Sequence, residues 1–389
     1  MLFPSETVNY IIEFLLMQPN RNLVSYSDNP TSAPITIIPA NDINEPVLPA
    51  NIRITHKGSN IIFHDDIIAS TFFLLSRYDE YRQPDAVDTF HRFLSGRSFL
   101  GSHGLMQTPI IDIYTEIIYQ KLNQPIPQRQ QHLYLTHDID TISHYHRPVG
   151  FFGGIYRTLF KNFEGKESLS TILASAVNIK KDPAYTFQQI ADIDSKFVSQ
   201  KSMASEIIYF IKPNRARNRY DRPAYNLKSV PKLTGTIGFH SLYETFDNVS
   251  LLTKPQTAKI PHKYHRSHYL RILPPTQMHN YINAGITDDF SICFADVPGF
   301  RLGTTRPTKA INPANAQILS LTLHPLSVMD TTLIDPRYLN LDYEHALDLC
   351  LSLFETIDRH QGDTTLLFHN NSFANPMIAK LYPELLSHL

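Results

Sequence analysis

The chain has 389 residues, 42% hydrophobic and 18% charged, with 23 Phe and 20 Tyr. That is enough for a large core and, at ~150 residues per domain, for two domains or one barrel carrying an extra module. Thirty-five basic against 36 acidic residues leave a net charge of −1, so no global field recruits nucleic acid or an anionic membrane. Two cysteines, Cys293 and Cys350, exclude a disulfide framework and a thiolate zinc cage.

The N-terminal stretch lacks the basic leader of a signal peptide: its first Arg is Arg21, and Glu6 and Glu13 interrupt the apolar run. The expectation is a cytoplasmic protein. Residues 8–17 predict a short helix and 34–40 a strand. Residues 51–56 and 60–65, parted by Lys57-Gly58-Ser59, read as a hairpin. Ile68, Phe72 and Leu75 recur at i, i+4 and i+7 and predict a second helix. It runs into alternating charges and tyrosines, where Arg77 to Arg82 are expected to form a surface or interdomain ion-pair network. A third helix starts near Pro109, a favoured first-turn position, with Ile110, Tyr114, Ile117 and Ile118 on its buried face. QPIPQRQQ at 124–131 reads as a linker. The domain boundary is placed there: a small α+β module over 1–131, then a second domain over 132–389.

From 132 onward, six short apolar runs (132–137, 205–211, 236–240, 290–295, 318–324 and 365–369) alternate with helical patterns such as 187–200 and 343–358. Such alternation predicts an α/β barrel or a doubly wound sheet. No run approaches the ~18–20 apolar residues of a spanning helix. The aromatic and basic stretch 151–163 reads as a helix packed on the barrel, with a peripheral membrane contact as the alternative. Two loops are basic, 212–228 and 261–271. The first reads as a solvated loop, with recognition of an anionic glycan as the alternative. The second carries His262, His265 and His268, expected in hydrogen-bonding or solvated roles.

Nearly every predicted strand ends in His or Asp: His137-Asp138-Ile139-Asp140, His240, Asp296, His324 and His369. In a parallel barrel these ends converge on one mouth, where carboxylates and imidazoles suit metal-assisted hydrolysis. Asp138 and Asp140 cannot both be buried unpaired, because like charges so close raise one pKa strongly. A divalent cation resolves the conflict, leaving one carboxylate as ligand and the other as base. His240 and Glu244, at i and i+4, face the same way on a helical turn and suit zinc or a similar ion.

LTHDID, GFHS, ADVPGFRLGT and LLFHN occur in the order and at the strand ends of the polysaccharide deacetylase superfamily (carbohydrate esterase family 4), which the sequence resembles. FFLLSRYDEYR, with HRF and PIID downstream, resembles the module that precedes the deacetylase domain in one bacterial subgroup. The resemblance implies a distorted (β/α) barrel behind a small α+β domain. It implies Asp138 as general base, Asp140 and His240 as metal ligands, and His369 as general acid. Glu244 stands where the family has its second His, and is the third candidate ligand. Arg301 is the counterpart of the arginine that orients the base, with Arg306 the alternative. Asp296, His324, Arg306 and Tyr243 are candidate substrate contacts. The cofactor implied is a divalent metal, zinc first, with Mn, Co or Ni as alternatives. The activity implied is removal of acetyl groups from N-acetylated sugars of a polysaccharide or lipid-linked glycan, with a carbohydrate and no nucleic acid as partner. The rival is a barrel that lost this chemistry and serves as a glycan-binding or assembly factor, in keeping with Glu244 and the altered arginine motif.

Overall fold

The apolar runs fold into two sheets. The computed structural model describes residues 2–160, 167–199, 203–213, 218–221, 225–253 and 259–389. The first sheet holds β1 (Val24–Tyr26), β2 (Ile35–Ile37), β3 (Ile54–Lys57) and β4 (Asn60–Phe63), in the order β1-β2-β4-β3. The expected hairpin is β3–β4, antiparallel, with Lys57 opposite Asn60 and Gly58 at φ 62°, a left-handed position that suits glycine in so tight a turn. Helices Ser5–Leu16, Ile67–Ser76 and Ile110–Leu122 carry the three predicted stripes. Asp66 caps the second, accepting from the N–H groups of Ile68 (3.0 Å) and Ala69 (2.8 Å) and from the Tyr26 hydroxyl of β1 (2.6 Å).

The second sheet has nine strands: β5 (His132–Ile139), β6 (Ala204–Ile211), β7 (Thr236–Ser241), β8 (Tyr264–Ser267), β9 (Asp288–Ile292), β10 (Thr308–Ile311), β11 (Ile318–Pro325), β12 (Val328–Met329) and β13 (Thr364–Leu367). Their order is β10-β11-β9-β8-β7-β6-β5-β13-β12, parallel except for the edge pair β10–β11. The sheet curls until its margins meet. The Leu326 N–H donates to Ile292 O of β9, and the Ser327 N–H donates to Thr365 O of β13. One extended segment, Ile318 to Met329, thus bridges both margins. All six expected strands of this half are present. β8 was expected to be part of a loop, because charged side chains mask its pattern.

The two parts share one core. Phe72, Leu75 and Tyr114 belong to the same buried cluster as Phe300, Leu302 and Ile311. Tyr10 OH bonds Thr308 Oγ1 (2.8 Å). Two buried ion pairs cross between the parts. Glu80 pairs with Arg301, and Asp112 accepts from Arg306 Nε (2.9 Å), Thr304 Oγ1 (2.7 Å), and the Thr305 N–H (2.7 Å) and Oγ1 (2.8 Å). The expected linker is itself pinned, with Arg129 forked onto Asp363 (2.6 and 2.9 Å). A separate N-terminal domain is therefore not resolved by the packing. The residues from Arg77 to Arg82 are correspondingly less superficial than expected: Arg77 and Glu80 are buried. Breaking a buried pair costs about 3–5 kcal/mol because the partner charge is stranded. Asp112→Ala should therefore destabilise the whole chain by that amount and lower the midpoint of a single denaturant transition, followed by circular dichroism.

Candidate metal centre

The C-terminal ends of the parallel strands meet at one mouth, and each brings a polar residue. β5 supplies Asp138 and, one residue past its end, Asp140. β7 supplies His240, and His268 follows β8 directly. Lys212 follows β6, Asp330 follows β12, and His369 lies two residues beyond β13. Asp138, Asp140, His268 and His369 line an open cleft of about 190 Å³, together with Arg92, Tyr269 and other side chains.

Asp140, His240 and His268 each offer one ligand atom, and these atoms all lie within 4.8 Å of one another. Asp140 Oδ1 is 3.4 Å from His240 Nε2 and 3.5 Å from His268 Nε2. Tetrahedral ligands ~2.0–2.1 Å from zinc would stand ~3.3 Å apart, so these two separations are close to those of a loaded site. Tautomers are set from behind. His240 Nδ1–H donates to Arg266 O (3.0 Å), and His268 Nδ1–H donates to the buried Asp221 (2.7 Å), which leaves each Nε2 facing Asp140. Asp140 Oδ1 and His240 Nε2 are buried without a hydrogen-bond partner. Lys212 Nζ stands 3.1 Å from Asp140 Oδ1 without making a hydrogen bond to it, so two acceptors remain aimed at one point, and the donor set of two imidazoles and one carboxylate fits zinc or a similar ion.

Asp138 lies beside this trio, with Oδ2 3.6 Å from His240 Nε2 and Oδ1 3.4 Å from Arg266 Nη1. Arg266 is fully buried, donates to Thr136 Oγ1 (2.8 Å) and has its guanidinium over the Phe210 ring at 4.6 Å. On the other side, His369 Nδ1–H donates to Asp330 Oδ1 (2.7 Å), and its Nε2 stands 3.8 Å from Asp140 Oδ2. Burial works against the charged imidazole, but Asp330 and then the two cleft aspartates outweigh it and hold His369 protonated, with its pKa raised to about 10. Burial also works against the Asp140 carboxylate. Lys212, whose Nζ lies 3.1 Å from Oδ1, and His268 reverse that and hold it well below the usual carboxylate range.

The expected residues divide. Asp138, Asp140, His240 and His369 come together. Glu244 does not join the group of three: it lies in the 3₁₀ turn Tyr243–Phe246, and the position read as its role is held by His268. That residue was expected in a hydrogen-bonding or solvated role, because β8 was read as loop; it does bond Asp221, but its Nε2 faces Asp140. Arg301 does not face Asp138 either. Its guanidinium forks onto Glu80 (2.9 and 2.7 Å) and donates to Cys293 O (2.7 Å), while Arg266 stands beside the base. Arg306 is committed to Asp112. His324 stacks on Phe290 (4.2 Å between centroids) and bonds Asp288 (2.9 Å), at the start of β9 and away from the mouth. Asp296 is exposed and accepts from Ser95 Oγ (2.5 Å). Tyr243 is buried under the Arg271 guanidinium at 4.0 Å. Of the other two histidines of the 261–271 segment, His262 bonds Leu252 O (3.1 Å) and His265 bonds Asp289 (2.6 Å). The basic loop 212–228 falls partly outside the described residues. His268→Ala should lower zinc affinity by at least about tenfold in competition with a chromophoric chelator, while Glu244→Gln should leave it unchanged.

A model of a family of unknown function (DUF7033) matches residues 8–127. No curated protein matches the chain. Among solved structures, one described as a "putative polysaccharide deacetylase from Mycobacterium smegmatis" is similar to this chain at 12% identity and a TM-score of 0.42, covering 67% of this chain and 84% of its own.

Proposed function

We propose that the chain is a metal-dependent hydrolase with a distorted (β/α) barrel, which removes acetyl groups from N-acetylated sugars of a glycan. The observation that carries this reading is the convergence of Asp140, His240 and His268 between an Arg-paired carboxylate and a protonated imidazole in one open cleft. The sequence motifs LTHDID, GFHS and LLFHN, which resemble those of polysaccharide deacetylases, supply the substrate class.

Asp140, His240 and His268 would hold the ion. When bound, a divalent cation supplies Lewis acidity toward the amide carbonyl and lowers the pKa of water toward ~7. Asp138 takes the proton of the attacking water, and Arg266, 3.4 Å from its Oδ1, aims it. His369, held by Asp330, presents a protonated Nε2 to the cleft and donates to the departing amine. General acid–base transfer of this kind is worth roughly 10²–10⁴-fold. Acetate release from N-acetylglucosamine oligomers tests the reading. Asp138→Asn should lower turnover by about that factor with zinc retained, and His369→Ala should do so most for poor leaving groups. Because the hydrogen-bonded Asp330 carboxylate holds the His369 imidazole protonated above the ordinary histidine range, His369 supplies an alkaline limb of the rate profile, which His369→Ala should remove. Zinc loss in Asp138→Asn would mean that the two aspartates exchange roles.

One observation favours the rival, a barrel that binds glycan without hydrolysing it. The buried Lys212 ammonium lies 3.1 Å from Asp140 Oδ1 and competes with any added cation. A unit charge so close opposes a metal ion strongly at a protein dielectric of ~20. Lys212→Met should therefore raise zinc affinity by at least about tenfold. Purified wild-type protein with no zinc, and zinc uptake only in Lys212→Met, would favour the rival.

A further inference from the structure

Between Asp140 and β6 the chain leaves the sheet, and the first two α-helices of this connection are Pro148–Phe160 and Leu169–Val177. They pack on each other where Gly154 allows close approach: a Cβ there would stand 2.7 Å from the Tyr145 ring and 3.3 Å from Ile172 Cδ1. The opposite faces are apolar and exposed. Val149, Phe152, Tyr156 and Leu159 line the first helix at i, i+3, i+7 and i+10. Leu169, Leu173 and Val177 line the second at i, i+4 and i+8. These seven are most of the ten large apolar side chains exposed among the described residues, with Phe152 at 67%, Leu173 at 54% and Val177 at 87%. Scattered exposed apolar residues are ordinary, but a contiguous patch marks a contact surface.

Its surroundings are cationic. Arg147, Arg157, Lys180 and Lys181 are exposed around the pair against one partly exposed acid, Glu167, whereas Asp182 is buried and accepts from the N–H groups of His144 and Tyr145 (2.9 and 2.8 Å). An apolar stripe of Phe, Tyr and Leu flanked by Lys and Arg suits a helix lying in the headgroup layer of an anionic bilayer. The excursion that carries the patch is rooted beside the cleft. Both feet of the excursion are tied to Asn370, the neighbour of His369. The Asn370 side chain donates to Thr141 O (2.6 Å) and Ala184 O (3.0 Å), and Thr186 Oγ1 bonds Asn370 O.

We infer that this helical pair is a membrane-docking surface that seats the cleft at an anionic bilayer. The docking surface stands on exposure and charge alone. That it presents a lipid-linked glycan to the cleft rests on the proposed function. The chain contains no Trp, so Phe152→Trp gives a reporter at the patch. With the full-length protein, its emission should shift to the blue on vesicles of phosphatidylcholine plus phosphatidylglycerol, less so on phosphatidylcholine alone, and the shift should weaken with salt. Phe152→Glu/Leu173→Glu should reduce co-sedimentation with the anionic vesicles at least about tenfold, with circular dichroism, zinc affinity and turnover of a soluble acetylated sugar unchanged. Wild-type protein that stays in the supernatant, or a double variant that sediments equally well, overturns the inference. So does a wild-type dimer in sedimentation velocity that the double variant converts to monomer, since the face would then belong to a second copy. Loss of zinc binding or of acetate release with vesicle binding intact would fail the catalytic reading alone.

Discussion

Asp138 and Asp140 stand two residues apart at the end of one strand, largely out of water. Two like charges so placed are sustainable only if each has its own counter-charge. Asp138 is paired with Arg266, which lies inside the curl over Phe210. Asp140 is faced by His240, His268 and Lys212. Much of the mouth follows from this division. Arg266 can reach Asp138 only because β8 sits between β7 and β9. His268 can reach Asp140 only because Asp221, brought in from beyond β6, fixes its ring. The same backbone that carries Arg266 fixes His240, through the Arg266 carbonyl. One short strand thus serves Asp138 by its side chain and His240 by its peptide group.

The N-terminal part is built into this arrangement. Glu80 neutralises Arg301 and Asp112 neutralises Arg306, so two arginines of the second half are satisfied from the first. Phe90 stacks on Tyr269, at 5.0 Å between centroids, and Arg92 lines the cleft with it. A part of the chain with its own sheet therefore also contributes to the wall of the mouth.

The strand-end histidines and aspartates were legible because parallel strands buried on both faces read as apolar runs, and a polar residue at the end of such a run stands out. That signal located Asp138, Asp140, His240 and His369. It failed at β8, where Tyr264, His265, Arg266 and Ser267 show no apolar run. Their side-chain polarity is absorbed by Glu206, Asp289, Thr136 and the Arg271 carbonyl, and His268 was hidden with them. Arg301 was assigned to the base because a single motif does not reveal which carboxylate an arginine will meet, and Glu80 is 221 positions away. The exposed stripe on Pro148–Phe160 was ambiguous for a similar reason. An amphipathic pattern is the same whether its apolar face meets a core or leaves the fold.

The segment from Ile318 to Met329 pairs with β9 through its first part and with β13 through its last, and Asp330 follows at once to hold His369. Side chains alternate along an extended chain, so gaining or losing one residue there would turn Asp330 to the opposite face. Homologous chains could lengthen the connections after the other strands freely, whereas the length of this seam is fixed on both sides. Tolerance of insertions should be unevenly distributed around the mouth, and smallest at the suture.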